Sequence, residues 1–241
     1  MKSLFLKEIQ SFFSSLTGYL IIVVYLLANS LMLWVIPGNF NLFDNGYASL
    51  EPLFVLSPWL FLFLVSAVTM KSIAEEKRMG TLEILLTKPL TEFQIVASKY
   101  MASISLVILA IIPSLVFYIS IYQMGNPQGN IDMGGTLGSY IGLFFLASIY
   151  TAIGLFASTL TDNQIVAFIV SILFSLFMYL GFDTIATMLP DALQWISSLG
   201  INEHYKSMSR GILDTRDIVY FLGVDAIFIY LAQFILQTRK W

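Results

Sequence analysis

Apolar residues along this chain do not alternate with polar ones at the period of a strand; they run in long blocks separated by short polar stretches. A helix rising about 1.5 Å per residue needs about 20 apolar residues to cross roughly 30 Å of hydrocarbon. Six blocks meet that length, at residues 17–36, 53–73, 100–122, 137–160, 164–188 and 218–237. They predict an all-α polytopic membrane protein with six transmembrane helices, organised as one transmembrane domain over residues 1–241. Residues 1–16 carry a different pattern. Phe5, Ile9, Phe12, Phe13 and Leu16 recur at helical spacing, with Lys2, Glu8 and Gln10 elsewhere on the turn. That predicts either an interfacial helix lying on the inner leaflet or a cytoplasmic extension of the first span.

Composition narrows the class. The chain is 58% hydrophobic and 11% charged, with a mean hydropathy of +0.82, well outside the range of soluble domains. The apolar blocks use nearly all of it and leave no room for a separate soluble domain. A net charge of -3 spread over the loops offers no basic surface for nucleic acid. The absence of cysteine removes disulfides, thiol catalysis and thiolate metal ligation. Lys2 and Lys7 precede an apolar stretch, but Glu8 interrupts it and no small-residue cleavage site follows, so the first helix is expected to be retained.

Charge also orients the spans. An even number of crossings places both termini on one side. Lys2, Lys7, Lys71, Lys77, Arg78, Lys88, Lys99, Arg239 and Lys240 fall on that side, against Lys206, Arg210 and Arg216 on the other. The bias predicts cytoplasmic termini, and a bacterial inner membrane is the expected location. Tyr19, Trp34, Tyr100, Tyr122, Tyr140 and Trp241 near the block ends are expected to act as headgroup anchors. Residues 124–135, rich in Gly and Asn, read as a flexible external turn.

The segment 71–100 reads KSIAEEKRMGTLEILLTKPLTEFQIVASKY, too patterned for a bare linker. Glu75 and Glu76 face Lys77 and Arg78, and Glu83 faces Lys88, which suits short solvated helices. Gly80 interrupts the helix leaving the second span, Thr81 is placed to cap a new one, and Leu82, Ile84, Leu85 and Leu86 give it an apolar face. Pro89 limits that helix, and Thr91 with Glu92 opens the next. The prediction is a compact cytoplasmic elbow between the second and third spans. From charge alone, a solvated loop tucked against the bilayer fits as well.

Glu75, Glu76, Arg78, Gly80, Thr81, Leu82, Glu83, Leu85, Leu86, Pro89 and Lys99 together resemble the cytoplasmic signature of the ABC type-2 permease family. The resemblance implies that the elbow docks on a separate nucleotide-binding subunit, with Glu75, Arg78, Gly80, Thr81, Leu82, Glu83 and Leu85 at the coupling contact. Glu83 and Arg78 would make its polar contacts, and Leu82 and Leu85 its apolar anchors. It further implies a second permease subunit, identical or related, with ATP bound by the partner and no cofactor in this chain. His204, Arg210, Gly211, Asp214, Asp217, Tyr220 and Phe221, ahead of the last span, are similar to elements of the gliding-motility-associated and copper-maturation permeases within that family.

The remaining polar positions carry less. His204, the sole histidine, reads as a hydrogen-bonding group in a polar loop rather than a metal ligand. In 188–199, Leu189, Leu193, Ile196 and Leu199 share a face with Trp195 nearby, so this stretch either rests at the outer interface or caps an external mouth. Asp225 lies inside the last span, where a carboxylate is costly and must face protein or water. It is expected either to bond between helices or to line a substrate path. Asn29 and Gln233 are expected to bond between helices.

Three function classes follow. The first is a permease driven by a partner ATPase, since no Gly-x-x-x-x-Gly-Lys-Ser/Thr pattern is present in this chain. The second is an ion-coupled carrier using Asp225. An intramembrane serine protease is the third and the poorest fit, because His204 lies outside every apolar block.

Overall fold

A computed structural model describes residues 1–188 and 191–238, the side chains of 191–194 excepted. Leu189, Arg239, Lys240 and Trp241, and the side chain of Leu193, lie outside that description. The described residues are helical wherever they are regular, with no strand. Helix α1 spans Lys2–Ser14, α2 Leu16–Val35 and α3 Glu51–Thr69. Two short helices follow, α4 at Ala74–Arg78 and α5 at Thr81–Leu86. Then come α6 (Glu92–Met124), α7 (Met133–Leu160), α8 (Gln164–Met188), α9 (Ile201–Ser209) and α10 (Thr215–Gln237). Six helices among the described residues, α2, α3 continued through α4, α6, α7, α8 and α10, are long and apolar enough to cross a membrane. The chain is a multi-pass membrane protein.

Helix α7 is the central post. It packs against α3, α6, α8, α9 and α10, and 78% of its apolar window is buried against 22% for α8. Small residues make this possible. Gly138, Gly142, Ala147, Ser148, Ala152, Gly154 and Ala157 keep the α7 surface low, so neighbouring backbones approach closely without a hydrophobic drive between lipid-solvated helices. A Cβ on Gly138 would collide with the Met208 carbonyl oxygen of α9, and one on Gly154 with the Thr69 hydroxyl of α3.

Three of the spanning helices start ahead of their apolar blocks, at positions set by caps rather than by hydropathy. The third spanning helix begins at Glu92, not near residue 100. Thr91 Oγ1 accepts from Gln94 N at 3.2 Å while Gln94 Oε1 accepts from Thr91 N at 3.3 Å, a reciprocal capping box. Asp132 caps α7, its Oδ1 accepting from Gly135 N at 3.0 Å, so the end of the expected external turn is already helical. Asp214 Oδ1 likewise accepts from Arg216 N at 2.9 Å and starts α10 at Thr215. Thr81 does not cap α5 as expected; it is the first helical residue, and Gly80 holds the cap position with φ +68, a conformation that favours glycine.

Two further expectations change. Helix α1 is a separate element, broken from α2 at Ser15, whose backbone is extended. Its buried residues are Leu4 and Glu8, with Phe12 and Phe13 of the expected stripe half-buried against the core, while Leu16 is 76% exposed at the start of α2. The loop between the fifth and sixth spans contains α9, which the sequence reading treated as loop. Ile201, Tyr205 and Met208 face inward at helical spacing, and Tyr205 Oη donates to the Phe54 carbonyl at 2.8 Å. Ahead of it, Asp191–Leu199 is a 3-10 helix with Trp195 and Leu199 exposed.

Candidate functional site

Under the elbow lies a cluster of four charges from three elements. Lys99 of α6 is 1% exposed, and its Nζ sits 3.0 Å from Glu8 Oε1 of α1, 3.0 Å from Glu76 Oε2 of α4 and 2.7 Å from the Ser72 carbonyl. Lys7 Nζ reaches Glu76 Oε1 at 3.2 Å from the outer side. Two lysines against two glutamates make the cluster neutral, which is what allows a lysine to be buried at all. The Glu76 Oε2 contact is ionic rather than a directed hydrogen bond, since that oxygen has no hydrogen-bond partner among the described residues. Glu8, placed on the polar side of α1 by its pattern, is therefore buried at 9% exposure because it answers Lys99.

The start of the elbow is fastened a second way. After Thr69 the second spanning helix unwinds for one turn, leaving backbone N–H groups without helical partners. Ser158 Oγ of α7 accepts from Ile73 N at 3.0 Å and Ala74 N at 2.9 Å and donates to the Met70 carbonyl at 3.1 Å. Lys77 Nζ donates to the Thr159 carbonyl, placing a cation at the C-terminal end of α7. Leu82 of α5 is fully buried with Ile73, Val96, Leu155, Ala232 and Leu236. The apolar anchor expected to face a partner thus faces the bundle, because its neighbours from α6, α7 and α10 enclose it.

What remains outside is a compact tip. Arg78, Met79, Gly80, Thr81, Glu83 and Ile84 are exposed, Ile84 at 62% and Met79 at 58%, with Glu75 and Leu85 half-buried. The six exposed residues lie within seven positions of chain, on a turn whose base is held at Lys99, Ser158 and Leu82. An acid, a base and two apolar side chains on a rigid turn fit a protein contact better than a lipid one.

Asp225 lies elsewhere, in the middle of the bundle. It is 5% exposed, and its Oδ2 accepts from Tyr100 Oη at 2.9 Å and from the Ser148 hydroxyl, while Oδ1 has no partner among the described residues. Tyr100, expected at the headgroups, instead points its hydroxyl inward because α6 begins two turns earlier. Asp225 thus bonds between α6, α7 and α10. Asn29 does not bond between helices; its Nδ2 donates to the Tyr25 carbonyl of its own helix at 2.9 Å. The Gln233 side chain makes no hydrogen bond to another described residue. His204 is engaged on both ring nitrogens, by Asp217 Oδ1 at 2.6 Å and the Ser198 carbonyl at 2.8 Å, and stacks on Tyr220 at 3.9 Å. It bolts α9 to α10.

Glu8 is the site residue the sequence reading missed. The available signal was Lys99 itself, a cation near the start of an apolar block that requires carboxylate partners wherever the fold supplies them.

The family model described as ABC-2 family transporter protein matches residues 36–236. The match begins just beyond α2, so it covers Glu76 and Lys99 but not Glu8. No curated protein matches the chain.

Proposed function

The chain belongs to the ABC-2 transporter family, and from that premise we propose that its elbow is the element through which a separate ATPase drives it. The carrying observation is mechanical: the elbow has an exposed tip and a base fastened to α1, α6 and α7. A load applied at Arg78, Glu83 and Ile84 reaches three helices through the Lys99 cluster and Ser158 without first deforming the elbow. Leu82 contributes about 1.5 to 3 kcal/mol of burial toward that stiffness. On this reading nucleotide binding closes two ATPase copies, the elbows move, and the spanning subunits switch as rigid bodies. The second spanning subunit is an identical or related chain. Both termini and the elbow lie in the cytoplasm of a bacterial inner membrane, and a gliding-motility-associated system is the setting its last loop favours over a copper-maturation one. The carrier reading loses ground, since both bonds to Asp225 are made within the bundle.

The test is to purify tagged protein from its native membrane and identify what accompanies it. A P-loop ATPase with ATP hydrolysis in the eluate is expected. Glu83→Lys and Ile84→Asp should each abolish its recovery without changing the thermal stability of the chain, because both side chains are exposed. Recovery of the chain without an ATPase, or an ATPase indifferent to both substitutions, would overturn the docking assignment.

A further inference from the structure

At the end of the bundle opposite the elbow, a cleft of about 550 Å³ opens between α3, α7, α8 and α9. Three helical stripes line it. Glu51, Val55 and Trp59 descend α3 at a spacing of four; Asp132, Gly135, Thr136 and Ser139 descend the start of α7; Tyr205, Lys206 and Ser209 lie on one face of α9, with Arg210 at its C-terminal end. At about 1.5 Å per residue, Trp59 lies roughly 12 Å below Glu51. Tyr179, in the wide π-helical turn Phe177–Gly181 of α8, closes the same depth and meets Trp59 edge-on at 5.9 Å. On the α3 side polarity falls with depth, from Glu51 at the rim to Val55 and Trp59 below, with Tyr179 opposite, while Thr136 and Ser139 keep the α7 side polar.

The rim charges have no counter-charge among the described residues, although Asp132 Oδ1 also caps α7. Glu51, Asp132, Lys206 and Arg210 are all exposed, and none is ion-paired to another described residue. Two carboxylates and two cations facing one opening match a head group that carries both signs, and an anionic oxygen is the natural partner of a lysine and an arginine one turn apart. Below them Val55 is 46% and Trp59 40% exposed, apolar surface facing the cleft rather than the core.

We propose that this cleft binds a membrane phospholipid with a zwitterionic head, its phosphate against Lys206 and Arg210, its ammonium against Glu51 and Asp132, and its acyl chain along Val55 and Trp59. The inference rests on the permease reading only for the direction of the cleft, outward; the binding itself needs no ATPase. The full-length chain, delipidated in detergent, is titrated with phosphatidylethanolamine, phosphatidylglycerol, diacylglycerol and water-soluble glycerophosphoethanolamine, with bound lipid counted by native mass spectrometry. Lys206→Gln with Arg210→Gln should weaken both phospholipids by about tenfold or more. Glu51→Gln with Asp132→Asn should weaken phosphatidylethanolamine alone, Asn keeping the acceptor that caps α7. Diacylglycerol binding as tightly as phosphatidylethanolamine, or either double variant leaving phosphatidylethanolamine unchanged, overturns the proposal. So does glycerophosphoethanolamine binding as tightly as the lipid, which would make the cleft a site for a free zwitterion. Rim variants that alter oligomeric state instead of lipid affinity would assign the cleft to a second copy of the chain and also overturn it. None of these outcomes bears on whether an ATPase copurifies.

Discussion

A lysine enclosed by protein must be neutralised where it lies, and Lys99 meets that need with carboxylates from two other elements. Removing it strands Glu8 and Glu76 together. Lys99→Met is expected to cost about 3 kcal/mol of stability, read as a lowered unfolding midpoint in detergent. Adding Glu8→Gln to that variant should recover part of the loss, a coupling of about 1 kcal/mol or more in a double-mutant cycle. Asp225 invites the opposite expectation. Asn keeps an acceptor for both Tyr100 and Ser148, so Asp225→Asn should leave ATP-dependent activity within a few-fold of the parent, whereas a proton-coupled carrier would lose transport at every pH. At this scale Lys99 and Asp225 were legible as oddities, since charged residues stand out in or beside apolar blocks. Their partners were not, because Glu8, Ser148 and Tyr100 look ordinary until the helices that carry them are brought together.

Between elements, the tip proposed to dock and the charge cluster proposed to transmit lie on different parts of the chain. Glu83 sits on the exposed tip, while Glu8 sits on α1, which the tip does not include. Glu8→Lys is thus expected to leave ATPase copurification intact yet uncouple it, seen as an altered rate of ATP hydrolysis in the eluate beside an unchanged amount of recovered ATPase. Contact between α7 and α9 depends on the missing side chain of Gly138. Gly138→Ala should cost about 2 kcal/mol by forcing α9 outward, and because α9 carries Lys206 and Arg210 it should also weaken lipid binding in the titration above. The helix ends show how caps and hydropathy divide the information. Apolar blocks located the six spans to within a few residues except at the third, where the capping box at Thr91 carries α6 well beyond its block. Helix α9 escaped notice because its apolar residues, Ile201, Tyr205 and Met208, are spread among six polar ones, so mean hydropathy conceals a clear helical stripe.

For the whole molecule, orientation is the property with the simplest test. With no native cysteine, single cysteines report sidedness without background. Asn130→Cys, in the loop between α6 and α7, should react with a membrane-impermeant maleimide on intact cells, and Thr87→Cys, just after α5, only after permeabilisation. The reverse pattern would invert the protein and move the elbow away from any cytoplasmic ATPase. The sequence by itself determined the class, the number of spans and the position of the elbow, because the length of an apolar run is set by the thickness of a bilayer and helix ends by local caps. Family membership was legible too, in the residues from Glu75 to Lys99. Only the tertiary structure decided which side of each helix is used. It turned Leu82 inward and Ile84 outward, drew Glu8 beneath the elbow, and set Glu51, Asp132, Lys206 and Arg210 around one opening. In lipid almost every helix face is apolar, so periodicity scarcely distinguishes a face buried in protein from one dissolved in acyl chains, and contacts between small residues on α7 settle the matter.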